Sequence, residues 1–223
     1  MEKLSVTVIT KNEEQNIARC LESVKWADEI IVLDSHSSDR TVEICRQFTK
    51  HVFCVDWQGY GKQKNMCAEH AKNDWVLNID SDEEISPEGA EEIQEVLRGQ
   101  PKLPIYNFPR KNFFGQRWVR FGGWYPDRIA RLYDKAQVQF TESQVHEKLI
   151  PDHNVGSLSN AILHHSFSGM EDYITRQNKY SSLYAKEKKG RGFQAGWSHL
   201  VFRPAWSFLK NYLIRQGFRD GFL

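Results

Sequence analysis

The run Trp75-Val-Leu-Asn-Ile79 is almost continuously apolar and stops at Asp80-Ser-Asp82-Glu-Glu84. Successive side chains of a strand point to opposite faces, so a strand that is apolar at consecutive positions needs both faces of its sheet covered, the condition of parallel sheets flanked by helices. Three earlier runs share this character: Leu4 to Thr10, Glu29-Ile-Ile-Val-Leu33 and Val52-Phe-Cys-Val55. Helix signals lie between them. Asn12 stands as a cap with Gln15 three positions on, ahead of Ile17, Leu21 and Val24, while Val42, Cys45 and Phe48 mark a second helix and a third runs near Lys62 to Ala71. Ser86-Pro87 opens a fourth, extending to about Arg98, with cap and first-position proline in their favoured order. Four strands separated by helices specify an α/β fold with a mostly parallel, doubly wound central sheet and flanking helices. Such sheets bind ligands at the carboxyl ends of their strands. Here those ends carry Thr10-Lys-Asn-Glu13, Asp34 with Ser35 and Asp39, Asp56-Trp57, and Asp80 with Asp82.

From about Pro104 the pattern changes to shorter strands, Ile105 to Arg110, Arg128 to Tyr133 and Val138 to Phe140, with no helix between them. They frame an aromatic, glycine-rich stretch from Phe113 to Pro126 that suits a binding wall better than a core. Helical character returns near Met170 and continues into a basic tail carrying Trp197, Phe202, Trp206, Phe208, Tyr212, Phe218 and Phe222.

With 40% apolar and 26% charged residues in 223, the chain buries a core as one domain, or one domain with an appendage, and is neither disordered nor collagen-like. Its formal charge of +1 is a sum of opposites: residues 1–175 hold 20 Lys and Arg against 27 Asp and Glu, and residues 176–223 hold 10 against 2, so −7 + 8 = +1. Cys20, Cys45, Cys54 and Cys67 form no CxxC pair, and three of them sit on expected helix or strand core, which argues against a disulfide framework or zinc site and for a reducing compartment. No apolar run approaches the roughly 18–20 residues of a membrane span, and the N-terminus does not read as a signal peptide.

Asp80-Ser-Asp82 is the strongest local feature. Two carboxylates one residue apart at a strand end present oxygen ligands to a hard divalent cation, which in turn neutralises a diphosphate. A solvated acidic turn is the plain alternative. No GxGxxG follows the first strand and no GxxxxGK[ST] occurs, so a nucleotide site must be built without these cradles. Asp34 can accept hydrogen bonds from a base or ribose, framed by Thr10, Asn12 and Glu13. Asn12 and Asp39 read equally well as helix caps.

Four motifs in order, Thr10-Lys-Asn-Glu-Glu14, Asp34-Ser-His-Ser-Ser-Asp-Arg-Thr41, Gly59-Tyr-Gly-Lys-Gln-Lys-Asn65 and Asp74-Trp-Val-Leu-Asn-Ile-Asp-Ser-Asp-Glu83, resemble those of family 2 glycosyltransferases of GT-A fold. The resemblance covers roughly residues 4–185 and is nearest to the bacterial lipopolysaccharide core β-1,4-glucosyltransferases, which move glucose from UDP-glucose to an inner-core heptose. It implies a GT-A domain over 1–169, with a nucleotide-sugar half over 1–100 and an acceptor half over 101–169, followed by a helical region over 170–223. Thr10, Asn12, Glu13 and Asp34 would then frame the uridine, with Lys62 and Gln63 near the nucleotide. Asp80 would lie by ribose and metal, Asp82 would ligate Mg2+ or Mn2+, and His164 would approach metal and diphosphate, with His165 its rival.

Inverting transfer requires a carboxylate base for the acceptor hydroxyl. Val145-His-Glu-Lys-Leu149 matches the pattern of this branch, which makes Glu147 the expected base and Asp127 its rival. Trp124 is expected to stack on an acceptor sugar, and Arg128 and Arg131 to meet acceptor phosphate or to serve ordinary salt bridges. The tail, cations interleaved with aromatic rings, suits an anionic membrane surface, or packs its rings on the domain. The acidic body argues against nucleic acid, and nothing in the sequence marks an obligate protein partner. The expectation is therefore a UDP-sugar donor, a lipid-linked saccharide acceptor, and a place on the cytoplasmic face of the inner membrane. Rival readings are a capsule or exopolysaccharide acceptor, another donor sugar, and a catalytically silent nucleotide- or sugar-binding module.

Overall fold

A computed structural model describes residues 2–142, 147–150, 154–190, 192–194 and 196–221. Four strands, β1 (Leu4–Thr10), β2 (Glu29–Asp34), β3 (Val52–Cys54) and β4 (Trp75–Asp80), alternate with α1 (Ile17–Ser23), α2 (Thr41–Phe48) and α3 (Tyr60–Glu69). β1 pairs in parallel with β2 and β4, and β2 with β3. The remaining strands are β5 (Glu83–Ile85), β6 (Ile105–Phe114), β7 (Arg117–Trp118), β8 (Asp127–Asp134), β9 (Gln139–Phe140), β10 (Leu149–Ile150), β11 (Val155–Ser157) and β12 (Ile162–Phe167), with α4 (Pro87–Arg98) following β5. The sheet runs β3-β2-β1-β4-β8-β6-β12-β5, with β7 and β11 added on β6, while β9 and β10 form a separate ribbon. The parallel pairing expected from the first four strands is present in that half of the sheet. β8 joins β4 antiparallel and β12 joins β5 antiparallel, whereas β11 joins β6 in parallel.

Alternation along the central strands divides the core into two layers. Val6, Val8, Ile30, Val32, Trp75, Leu77 and Ile79 face one layer, and Ile9, Ile31, Leu33 and Val76 face the other. α1, α2 and α4 cover the first layer with Ile17, Cys20, Leu21, Cys45, Ala90, Ile93 and Leu97; α3 covers the second with Cys67 and Ala68. Ser86 caps α4, its Oγ accepting from Gly89 N at 3.1 Å, with Pro87 at the first position. Asn12 does not cap α1. Its φ is 55°, and α1 begins only at Ile17. All four cysteines are free thiols, and burial pushes Cys45 and Cys67 up to about 12.

The chain forms two compact units: Met1–Arg110 with Arg128–His164, and Lys111–Asp127 with His165–Leu223. In the second, α5 (Met170–Gly190) and a shorter helix, α6 (Arg203–Phe208), follow β12. Its aromatic loop is fastened to the tail. Asp220, buried, accepts from the backbone N–H groups of Arg120 at 3.2 Å and Phe121 at 2.8 Å, Gly122 N donates to Arg215 O at 3.0 Å, and the Arg219 guanidinium lies 4.4 Å from the Phe121 ring centre.

Leu77 is fully buried at the centre of the first layer. Leu77→Ala is expected to lower stability by about 2–5 kcal/mol, read as a fall in the denaturant midpoint, because the cavity cannot collapse between two packed strands. An unchanged midpoint would contradict this packing.

Candidate active site

Sheet register brings the expected residues to one edge. Thr10 stands opposite Asp34 across β1 and β2, and Ile9 opposite Asp80 across β1 and β4, so three strand ends finish nearly level. Thr10 Oγ1 is buried there and has no hydrogen-bond partner within the protein. Asn12 cross-links the loop after β2: its Oδ1 accepts from Ser38 N at 2.8 Å, and its own N–H donates to Ser37 Oγ at 2.8 Å. Glu13 N donates to Thr41 Oγ1, and its carboxylate accepts from Asn16 Nδ2, both at 2.8 Å. Asp34 is completely buried and closes its own loop by accepting from the backbone N–H and hydroxyl of Ser37. On α3, Lys62 is exposed, whereas Gln63 is buried and donates to Ser35 Oγ at 3.0 Å.

One Asp80 carboxylate oxygen meets Lys64 Nζ at 3.1 Å and the other meets the Arg131 guanidinium, so both already engage cations of the protein. Arg131, expected at an acceptor phosphate or in a salt bridge, takes the second part: it is 1% exposed and also donates to Glu83 at 2.7 Å and to Asn78 Oδ1 at 3.3 Å. Burial alone would raise the Asp80 pKa, but the Arg131 and Lys64 cations hold it well below the usual carboxylate range. Lys64 also meets Glu147 Oε1 at 2.8 Å, and Arg110 meets Glu83 at 3.3 Å. Three cations thus balance three carboxylates. The sequence reading missed Lys64 and Glu83, although both stood within the motifs that carry the resemblance. Arg128 takes a structural part, donating to Asn107 Oδ1 at 2.8 Å and to Leu158 O at 3.2 Å.

Asp80 N donates to Glu83 Oε2 at 3.0 Å, folding the acidic turn back, and β5 then pairs with β12 so that His164 stands opposite Glu83. This register places His164 Nε2 3.4 Å from Asp82 Oδ2. Of the two histidines, His164 meets Asp82; His165 stacks on Phe113 in the second unit. An oxygen and a nitrogen donor suit Mn2+, and Asp82 suits Mg2+. No group of three or more His, Cys, Asp or Glu forms a cage among the described residues, so further ligands would be diphosphate oxygens. Trp124 and Asp127 belong to the second unit, where Trp124 packs edge-on to Phe167 and its carbonyl accepts from Asn112 Nδ2. Val145 and His146 of the Glu147 motif lie outside the described residues.

The glycosyl transferase family 2 model matches residues 5–150. An uncharacterized glycosyltransferase of Rickettsia felis is 35% identical over 241 residues, which cover all of this chain and 83% of that protein. The lipopolysaccharide core biosynthesis glycosyltransferase LpsC of Rhizobium meliloti is 28% identical, over 98% of this chain and 82% of its own length. Among solved structures, S. aureus TarS 1-349 in complex with UDP-GlcNAc has a TM-score of 0.56 at 20% identity. That alignment covers 75% of this chain and 60% of TarS 1-349, and shows the fold alone. With a family model matching residues 5–150 and a relative 35% identical over the whole of this chain, the chain belongs to glycosyl transferase family 2.

Proposed function

We propose that the chain moves a sugar, glucose in the first instance, from a UDP-sugar to a saccharide of the lipopolysaccharide core, the inner-core heptose being the acceptor this reading names, with inversion at the anomeric carbon. The observation that carries it is the meeting of Asp82 with His164, beside Asp80, Lys64 and Glu147, at the level carboxyl ends of β1 and β4. The LpsC likeness supports the core acceptor, and the TarS likeness the GT-A fold. Thr10, with its unpartnered buried hydroxyl, lines the uridine side with Asn12, Glu13 and Asp34.

In this reading Glu147 removes the acceptor hydroxyl proton. The acceptor oxygen bonds to the anomeric carbon as the bond from that carbon to the diphosphate breaks, and UDP leaves. Asp82 and His164 would hold a divalent cation, which neutralises charge on the diphosphate when bound. Trp124 would stack on an acceptor sugar, while Asp127 stands as the rival base.

The second unit supports a lipid-linked acceptor on the cytoplasmic face of the inner membrane. Trp197 is 81% exposed, Phe202 71%, Trp206 59% and Ile214 65%, with Arg203, Lys210 and Arg215 among them. A segment apolar on so many sides is normally buried. Its cations match an anionic headgroup layer, and its rings match headgroup depth. No helix among the described residues is long and apolar enough to cross a membrane, so the contact proposed is interfacial.

Asp82→Ala is expected to lower turnover of the preferred nucleotide sugar by about 10²-fold or more while the protein stays folded, measured as UDP release with Mg2+ or Mn2+. Full activity would remove the metal role, and a folded wild-type protein that turned over no member of a nucleotide-sugar panel would falsify the enzymatic reading. Vesicles containing phosphatidylglycerol should sediment the protein at low salt and release it as ions screen the contact, over the roughly 3–30 Å range of Debye lengths between 1 M and 0.01 M salt. No association at any salt, or self-association through the tail in place of lipid binding, would overturn the lipid contact.

A further inference from the structure

Three residues of α3 spaced i, i+3 and i+4 share one face, and between them they meet Phe140, Thr141 and Glu147. Gly61 is the point of closest approach: a Cβ there would stand 1.8 Å from Thr141 O and 3.3 Å from Glu147 Cβ, so only a hydrogen fits. Lys64, 2% exposed, joins Glu147 Oε1 at 2.8 Å to Asp80 at 3.1 Å, and its ammonium lies 5.3 Å from the Phe140 ring centre. Asn65 closes a two-way bond with the Phe140 backbone, its Nδ2 donating to the carbonyl at 2.9 Å and its Oδ1 accepting from the N–H at 2.8 Å.

Glu147 needs such a grip. It hangs on the β9–β10 ribbon, which is outside the main sheet and is joined by Phe140 opposite Leu149 and by Thr141 N donating to Lys148 O at 2.8 Å. A lone two-stranded ribbon is marginal in water. Buried Phe140 and Leu149 anchor its apolar side to the second core layer. Those contacts are non-directional and do not fix where a carboxylate beyond them points. The directional contacts come from α3. On another side of the same helix Gln63 holds Ser35, so one helix ties together the loop after β2, the end of β4 and Glu147.

We propose that the Gly61–Lys64–Asn65 face of α3 sets the position of the Glu147 carboxylate, and that Lys64 is a positioning residue for transfer and not a ligand of the nucleotide sugar. The proposal rests on the reading of Glu147 as the base. Lys64 acts through another side chain, so loss of the grip on Glu147 damages the chemical step.

The test uses the full chain, the nucleotide sugar that the wild type turns over, and UDP with Mn2+ in calorimetry. Asn65→Ala, which leaves the Lys64–Asp80 pair in place, should lower kcat by about ten-fold to 10²-fold, the scale of a displaced catalytic group, while the donor KM and UDP Kd stay within about two-fold; Lys64→Met should lower kcat at least as far. Lys64→Arg should recover part of the loss. Lys64→Met combined with Glu147→Gln should be no slower than Glu147→Gln alone, because residues acting as one unit are not additive. A weakened UDP Kd with kcat unchanged, or multiplicative losses in the double variant, would overturn the positioning role. Full turnover by Glu147→Gln would strike the base assignment instead. The grip is then judged by hydrogen exchange at Phe140 and Thr141, which should accelerate in Asn65→Ala; unchanged exchange would overturn it.

Discussion

The pairing of Asp80 with the Lys64 ammonium and the Arg131 guanidinium organises the site edge of this protein. Three carboxylates, on Asp80, Glu83 and Glu147, stand close together at the end of β4, and in a low-dielectric setting they would repel one another or take up protons. Lys64 and Arg131, both almost fully buried, together with Arg110, prevent this. Bringing such ions out of water is costly, and removing one partner of a buried pair typically costs about 3–5 kcal/mol. What the cluster contributes is geometry. It fixes the turn after β4, and with it β5, and through the β5–β12 pairing it fixes His164 beside Asp82.

This gives the two carboxylates of the Asp80-Ser-Asp82 turn separate tasks. Asp80 meets two cations, while Asp82 meets the His164 imidazole. The orphaned hydroxyl of Thr10 at the same edge fits a site completed by a polar ligand. In the second unit, Asp220 plays a comparable part on a smaller scale: one buried carboxylate takes two backbone N–H groups of the aromatic loop and so joins loop and tail.

Legibility in the sequence followed the range of the interactions. β1, β2, β4 and α4 were readable almost to the residue, since alternation, caps and apolar runs are local signals. Asn12 shows the limit of such signals. A cap-like residue in the expected place serves another loop altogether, because its left-handed backbone aims the side chain at Ser38. β5 and β12 were missed, since each is defined by a partner some eighty residues away. Arg131 was read as meeting acceptor phosphate or serving a salt bridge, because a charge in a short strand carries no local mark of the Asp80 and Glu83 carboxylates it will meet.

The amino-acid sequence by itself determined the doubly covered parallel half-sheet, the gathering of polar residues at its carboxyl edge and the membership of a family, because periodicity and motif order are properties of the chain. Tertiary structure alone decided which of those polar residues face one another. Lys64 rather than Lys62 reaches Glu147, His164 rather than His165 reaches Asp82, and Asp80 turns to two cations. The physical reason is that helix phase and strand register separate neighbours in sequence onto different faces, and only the packed partner shows which face holds the site.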